Sequence, residues 1–242
     1  MITKTTYRHQ QPLLAISAIL LLGLFAPPPT STLATSTGLN NIPTADTPGD
    51  RQLVFQSFVN IRDERQDDWF LGFKGGLRPG KLRFEYGADG RIGEGNSQSA
   101  VLQFKFAVAL SELLESEQNL PMVALGVANL ALTSNDRDEV GQPAIFPVLT
   151  HDFGWFRGHA GYQFQHDNDT AFFGFDKTIE LFDRDLMLRT DFIQIDGRDQ
   201  WLGSAGFIYF IHEHLALESW ASFPFDHGEP TFTLKLNLSF TF

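Results

Sequence analysis

The chain has 242 residues, a formal net charge of −11 and no cysteine, so it has neither a disulfide framework nor a cysteine-based metal site or nucleophile. Its 29 acidic residues outnumber its 18 basic ones, which excludes binding to nucleic acid through backbone phosphates. Beyond residue 50 no apolar run reaches the roughly 18 residues of a spanning helix, so a helical membrane bundle is excluded too.

Lys4 and Arg8 precede an unbroken apolar run over residues 13–26 (LLAISAILLLGLFA). That run has the length of a signal-peptide core and is shorter than the roughly 20 residues a spanning helix needs. Pro27, Pro28 and Pro29 stop any helix there. Cleavage after Ala26 would put Pro27 beside the scissile bond, so Thr32-Leu33-Ala34 is the better site and residues 1–34 read as a signal peptide. A retained membrane anchor is the alternative. Residues 35–50 are rich in Ser, Thr, Pro and Asn without apolar periodicity, and read as a flexible lead-in outside any core. Residues 51–242 form one domain. An exported domain without disulfides needs another source of stability, and a closed hydrogen-bonded barrel is such a source.

From residue 51 onward the dominant pattern has period two. It predicts twelve strands, at 51–60, 68–77, 80–88, 98–110, 121–132, 143–149, 154–165, 170–182, 184–195, 200–211, 213–223 and 231–242. The sixth, eighth and ninth are poorly patterned, which leaves ten strands as the alternative. Between them, longer acidic connections (61–67, 87–96, 133–142, 165–169, 196–200 and 224–230) alternate with short turns. The exception is SELLESEQNL (111–120), which is either a short helix or a register error. Lys177 shares the parity of Phe173 and Phe175. A lysine facing lipid costs about 2–4 kcal/mol at mid-membrane, so a bulge or a different strand end is expected there.

The last strand, Thr231 to Phe242 (TFTLKLNLSFTF), alternates without exception. One face carries Phe232, Leu234, Leu236, Leu238, Phe240 and Phe242, and the other carries Thr231, Thr233, Lys235, Asn237, Ser239 and Thr241. Soluble sandwiches alternate as well, but here the apolar parity draws on 24 Phe, and Trp69, Trp155, Trp201 and Trp220 suit interfacial girdles. This strand, with Phe240 and Phe242 at its end, resembles the assembly signal of Gram-negative outer-membrane barrels. The resemblance implies a porin-like barrel in outer-membrane lipid, inserted by the barrel-assembly machinery through the C-terminal strand. The expected fold is therefore an all-β, antiparallel, up-and-down transmembrane barrel of about twelve strands, and an even count puts both termini in the periplasm.

A second resemblance rests on PMVALGVANL (121–130), PVLTHDFGWFRGHAGY (147–162) and FFGFDK (172–177). These stretches are similar to barrels associated with exopolysaccharide or capsule secretion. The similarity implies a part in moving or organising surface polysaccharide and transfers no functional residue.

The parity opposite the apolar stripe carries both charge signs: Lys74, Lys81, Arg83, Glu85, Lys105, Arg157, Arg189, Asp191, Glu218 and Lys235, with Gln103, His159, Gln163, Asp176, Glu180 and Asn237. Such a face either lines a water-filled channel or fills the interior with ion pairs. The early cations Lys74, Lys81, Arg83 and Lys105 would give an open lumen one sector that favours anions such as acidic sugars. The leading reading is a narrow channel for small solutes. Its rivals are a non-conducting structural or adhesive barrel, an outer-membrane hydrolase, and a soluble periplasmic β-protein.

For the hydrolase, His166-Asp167-Asn168-Asp169 and Asp226-His227 superficially resemble the Asp/His pairs of omptin-type proteases. The strands are too short for that architecture, so solvated loops are the better account. His212-Glu213-His214 offers only two strong metal ligands on one strand face. Asn135, Asp136, Asp138 and Glu139 match no complete calcium loop. Neither a Gly-rich phosphate loop nor a G-x-S-x-G elbow occurs. The expectation is therefore no enzyme, no metal and no cofactor.

Overall fold

The computed structural model describes residues 37–62, 68–92, 100–132, 142–166, 169–195, 200–225 and 228–242. The proposed leader lies outside them. Strict two-residue alternation lets every strand turn one face inward and the other outward, and a sheet built only of such strands can close on itself. Twelve strands do so: β1 (Gln52–Ile61), β2 (Asp68–Leu77), β3 (Arg83–Ile92), β4 (Ala100–Ala109), β5 (Met122–Ala131), β6 (Ala144–Asp152), β7 (Arg157–Gln165), β8 (Thr170–Leu181), β9 (Arg184–Ile195), β10 (Gln200–His212), β11 (Leu215–Pro224) and β12 (Thr231–Thr241). Each pairs antiparallel with its sequence neighbour, and β12 returns to β1 with Gln56 opposite Asn237 and Phe58 opposite Lys235. Closure leaves no sheet edge. The count is twelve, and a two-sheet sandwich is excluded.

Not every expected turn holds: Thr150, His151 and Asp152, read as part of a turn, extend β6, whereas the tight join at Asp183 is present. Phe182 and Asp183 join β8 to β9 with φ of 54° and 56°, the left-handed backbone that a two-residue hairpin requires. A short helix, α1 (Leu110–Leu113), stands where SELLESEQNL interrupts the pattern. The largest boundary error is β3, which runs to Ile92 although residues 87–96 read as a loop. Cross-strand pairing of Asp89 with Gly72 carries the Gly- and Asp-containing stretch along the ladder. The bulge expected at Lys177 is absent, because β8 and β9 stay in register from Phe172 to Leu181. Lys177 instead points outward among exposed residues near the turn, with its ammonium 5.8 Å from the Trp155 ring centroid.

The outward parity is apolar and exposed: Phe55, Trp69, Leu71, Phe106, Leu125, Phe164 and Phe240 all lie on it. Trp220 departs from the expected girdle. It faces inward, 6% exposed, with the Arg189 guanidinium 5.4 Å from its ring centroid.

The core sits inside the barrel, and part of it comes from a segment the sequence pattern places outside any core. Residues 37–50, read as part of a flexible lead-in, lie in the lumen and leave it at the end where β1 begins and β12 stops. Leu39, Ile42 and Ala45 are buried against Ala124, Phe146, Phe172 and Ile193 of the wall. Gly38 bridges Pro43, so the segment folds back as a small hairpin with Asn40 and Asn41 at its tip. Two wall glycines make room for it. A Cβ at Gly174 would meet the Leu39 side chain, and one at Gly76 would strike the carbonyls of Pro48 and Gly49. The expectation failed because the segment has too few apolar residues to show a period, and it is held mainly by hydrogen bonds to distant strands.

Candidate functional site

The lumen is where the inward-facing charges meet, and three clusters there grip the N-terminal segment. In the first, Glu85 on β3 and Lys105 on β4 lie directly opposite each other, wholly buried, with Nζ 3.1 Å from Oε2. Lys105 also donates to the carbonyls of Thr37 (2.8 Å) and Thr44 (3.1 Å), while the Thr37 amide donates to Glu85 Oε1 at 2.8 Å. The ion pair thus clamps both legs of the small hairpin.

The second cluster is centred on Asp191 of β9. Its Oδ2 accepts the backbone amides of Asn40 (2.7 Å) and Asn41 (2.9 Å), and its Oδ1 accepts the Ser204 hydroxyl at 2.6 Å. The tip side chains reach further strands: Asn40 Nδ2 donates to Ser204 Oγ at 2.7 Å and Asn41 Nδ2 to Ser222 Oγ at 3.0 Å. A carboxylate that collects this many donors fixes the hairpin tip by charge-assisted bonds.

The third cluster holds the exit of the segment. Arg157 donates through Nε and Nη2 to both oxygens of Asp176, at 2.9 and 2.7 Å, and through Nη1 to Asp46 at 3.1 Å. His159 bridges the same Asp176 (Nε2 to Oδ2, 2.9 Å) to Thr150 Oγ1 (2.9 Å from Nδ1), and that hydroxyl accepts the Ala45 amide at 3.0 Å. The path from Ala45 through the wall to Asp46 is a closed ring of bonds.

On the far side of the lumen, Glu218 accepts Arg189 Nη2 at 2.6 Å and Asn237 Nδ2, with Lys235 Nζ 3.9 Å away. Phe58 and Phe70 stack there with centroids 4.5 Å apart, and Lys235 lies 5.8 Å from the Phe58 ring centroid. Between this wall and the small hairpin, a cavity of about 440 Å³ opens toward the chain-terminal end.

Of the residues read as lumen-lining, Lys74, Glu85, Lys105, Arg157, Arg189, Asp191, Glu218 and Lys235 lie on the inward parity of the wall. Arg83 sits at the mouth, where its Nη2 bonds Glu112 at 2.7 Å. Lys81 does not line the lumen. It is exposed in the turn before β3 and bonds Glu115 at 2.7 Å, because Glu112 of α1 and Glu115 just after it place carboxylates outside the rim. The hydrogen bond from Arg83, with Arg78 beside it, holds the Glu112 carboxyl below the usual carboxylate range. The early cations therefore do not form an open basic sector: Glu85 neutralises Lys105, Arg83 is drawn to Glu112 of α1, and Lys81 to Glu115 beyond it. Glu180, also expected inside, is exposed near the β8–β9 turn.

Of the loop residues weighed for catalysis, Asp167, Asn168, Asp226 and His227 lie outside the described residues, as do Asn135 to Glu139. His212 and His214 are exposed across the β10–β11 turn, with ring centroids 5.7 Å apart. The sequence reading missed the contacts of Thr37 to Asp46, and the inward aromatics Phe58, Phe70 and Trp220. Only the spacing of Leu39, Ile42 and Ala45 within a polar stretch hinted at the first.

No protein-family model matches the chain, and no curated protein does. Among solved structures, the low-pH structure of Pseudomonas putida OprB aligns with a TM-score of 0.45 and 8% identity, over 78% of this chain and 91% of that one. A mutant of the Rhodopseudomonas blastica porin aligns with a TM-score of 0.44 and 8% identity, over 78% and 99%. Salmonella typhi OmpF in complex with daunomycin aligns with a TM-score of 0.40 and 9% identity, over 78% and 96%. Likeness at this level says nothing about cargo or chemistry.

Proposed function

We propose that this chain is an outer-membrane barrel that forms a narrow, porin-like passage for small solutes, closed by its own N-terminal segment. Two properties support the membrane location. A closed sheet satisfies every ladder hydrogen bond internally, and its exposed outer face is apolar. With an even strand number, both ends face the periplasm, and the segment enters from that side. Residues 1–34 would be removed as a signal peptide, and the outward Phe240 and Phe242 would present the C-terminal strand to the assembly machinery.

One observation carries the functional part: the Thr37–Asp46 hairpin is held in the lumen by Lys105, Asp191, Thr150 and Arg157 rather than by the chain next to it. Attachment through side-chain hydrogen bonds, without a strand ladder to the wall, suits a part that leaves and returns. The reading needs no catalytic step and no cofactor. Passage of a polysaccharide chain would demand a continuous aqueous path, and the lumen residues are largely buried in this conformation.

The test is single-channel recording in planar bilayers, comparing the mature protein with a variant lacking residues 37–46. The expected result is a silent or rarely opening parent and a variant with regular current steps. A second reading, a non-conducting structural barrel, is favoured by the filled interior around Phe58, Phe70 and Trp220. A folded deletion variant that passes no current would select it.

A further inference from the structure

The cavity beside the small hairpin has an uneven lining. Its apolar side is formed by Val54, Met187, Ile208 and Phe210, and its rim by the exposed His212 and Glu213. The charges that face it are nearly all satisfied. Arg157 is bonded to Asp176 and Asp46, and Glu218 to Arg189 and Asn237, with Lys235 close by. Lys74 is different. It lines the cavity, is only 8% exposed, and among the described residues forms no hydrogen bond or ion pair. Glu218, which lines the same cavity, already accepts a hydrogen bond from Arg189. An ammonium held mostly out of bulk water without a bonded counter-charge is costly, and the cavity it lines leaves room for an anionic partner.

We propose that this cavity binds a small amphipathic carboxylate, with the carboxylate on the Lys74 ammonium and the apolar body against Ile208 and Phe210. A volume of about 440 Å³ falls in the range of small-molecule sites, which combine a mostly apolar lining with a few polar anchors. The surrounding ion pairs carry no surplus charge, so Lys74 sets the preference for one negative group over two. The rim opens at the chain-terminal end, so the ligand enters from there while the N-terminal hairpin stays in place. The site therefore goes beyond the proposed passage and does not depend on whether the barrel conducts.

The test is calorimetric titration of the full mature protein, folded in a zwitterionic detergent, with 3-phenylpropionate, its neutral amide and acetate. Phenylpropionate should bind at least about tenfold more tightly than either of the others, the scale of one charge-assisted hydrogen bond combined with a buried ring. Lys74→Met should abolish the preference for the acid over the amide. Phe210→Ala should weaken acid and amide together. Circular dichroism establishes that each variant keeps its sheet. An intact protein that shows no phenylpropionate binding overturns the proposal, and so does a folded Lys74→Met variant that keeps the full acid preference.

Discussion

Asp191 is the residue on which the closed state should depend most. Three donors converge on its carboxylate at 2.6–2.9 Å, and two of them are backbone amides of the hairpin tip. In Asp191→Ala those two amides lose their acceptor only while the hairpin is inside the barrel, since water satisfies them once it leaves. A buried amide without a partner costs about 1–3 kcal/mol. Two of them would shift the closed-to-open balance by about 2–6 kcal/mol, and removal of a desolvated carboxylate offsets part of that. The lower end corresponds to a roughly 30-fold rise in the open fraction, at 1.4 kcal/mol per tenfold. Asp191→Asn keeps one acceptor oxygen and should give a smaller rise. The assay is open probability in planar bilayers at fixed voltage, with protease susceptibility of residues 37–50 measured on the same preparation. If folded Asp191→Ala matches the parent within twofold in both, the carboxylate does not hold the segment and the reasoning fails.

Lys105→Met strands Glu85 without its counter-charge in a fully buried position, which should destabilise the barrel by about 3–5 kcal/mol. Urea unfolding in micelles checks this, and the double variant with Glu85→Gln should recover most of the loss. A double variant as unstable as the single one would contradict the pairing. Glu112→Gln removes the carboxylate held by Arg83 and Arg78. The Glu112 carboxyl sits below its ordinary range, so its contribution is present above the unfolded carboxylate pKa and is lost as pH falls through the folded one. Thermal melts should therefore show a small deficit for the variant near neutrality, small because solvent screens the site, and none in strong acid. A deficit that persists in acid would point to packing instead of charge.

Most of the barrel was legible because its pattern is local. In β12 each residue's face follows from its parity alone, and the inward Lys235 and Asn237 emerge in the structure as the sequence had them. Strand extension at β3 beyond residue 88 was not legible, since Asp89 and Gly90 become strand through partners on both β2 and β4. The same holds for the lumen. Parity places Lys105 and Asp191 inside, yet nothing local in the sequence shows that their ligands are Thr37, Thr44, Asn40 and Asn41, which lie some sixty to 150 positions away along the chain. Trp220 shows the limit from the other side. Aromatic identity pointed to a girdle, whereas its pairing opposite Gly206 sets it inside, over Arg189.

Because the chain has no cysteine, a single engineered disulfide can decide whether the hairpin is a gate. Asn40 Nδ2 and Ser204 Oγ lie 2.7 Å apart between the hairpin tip and the wall, so Asn40→Cys with Ser204→Cys is the pair to cross-link, its oxidation checked by loss of free thiol. Single-channel recordings of this variant should be silent under oxidising conditions and should show openings within minutes of adding reductant to the side the segment enters from. Equal current steps from the fully oxidised and the reduced protein would show that the segment does not close the barrel.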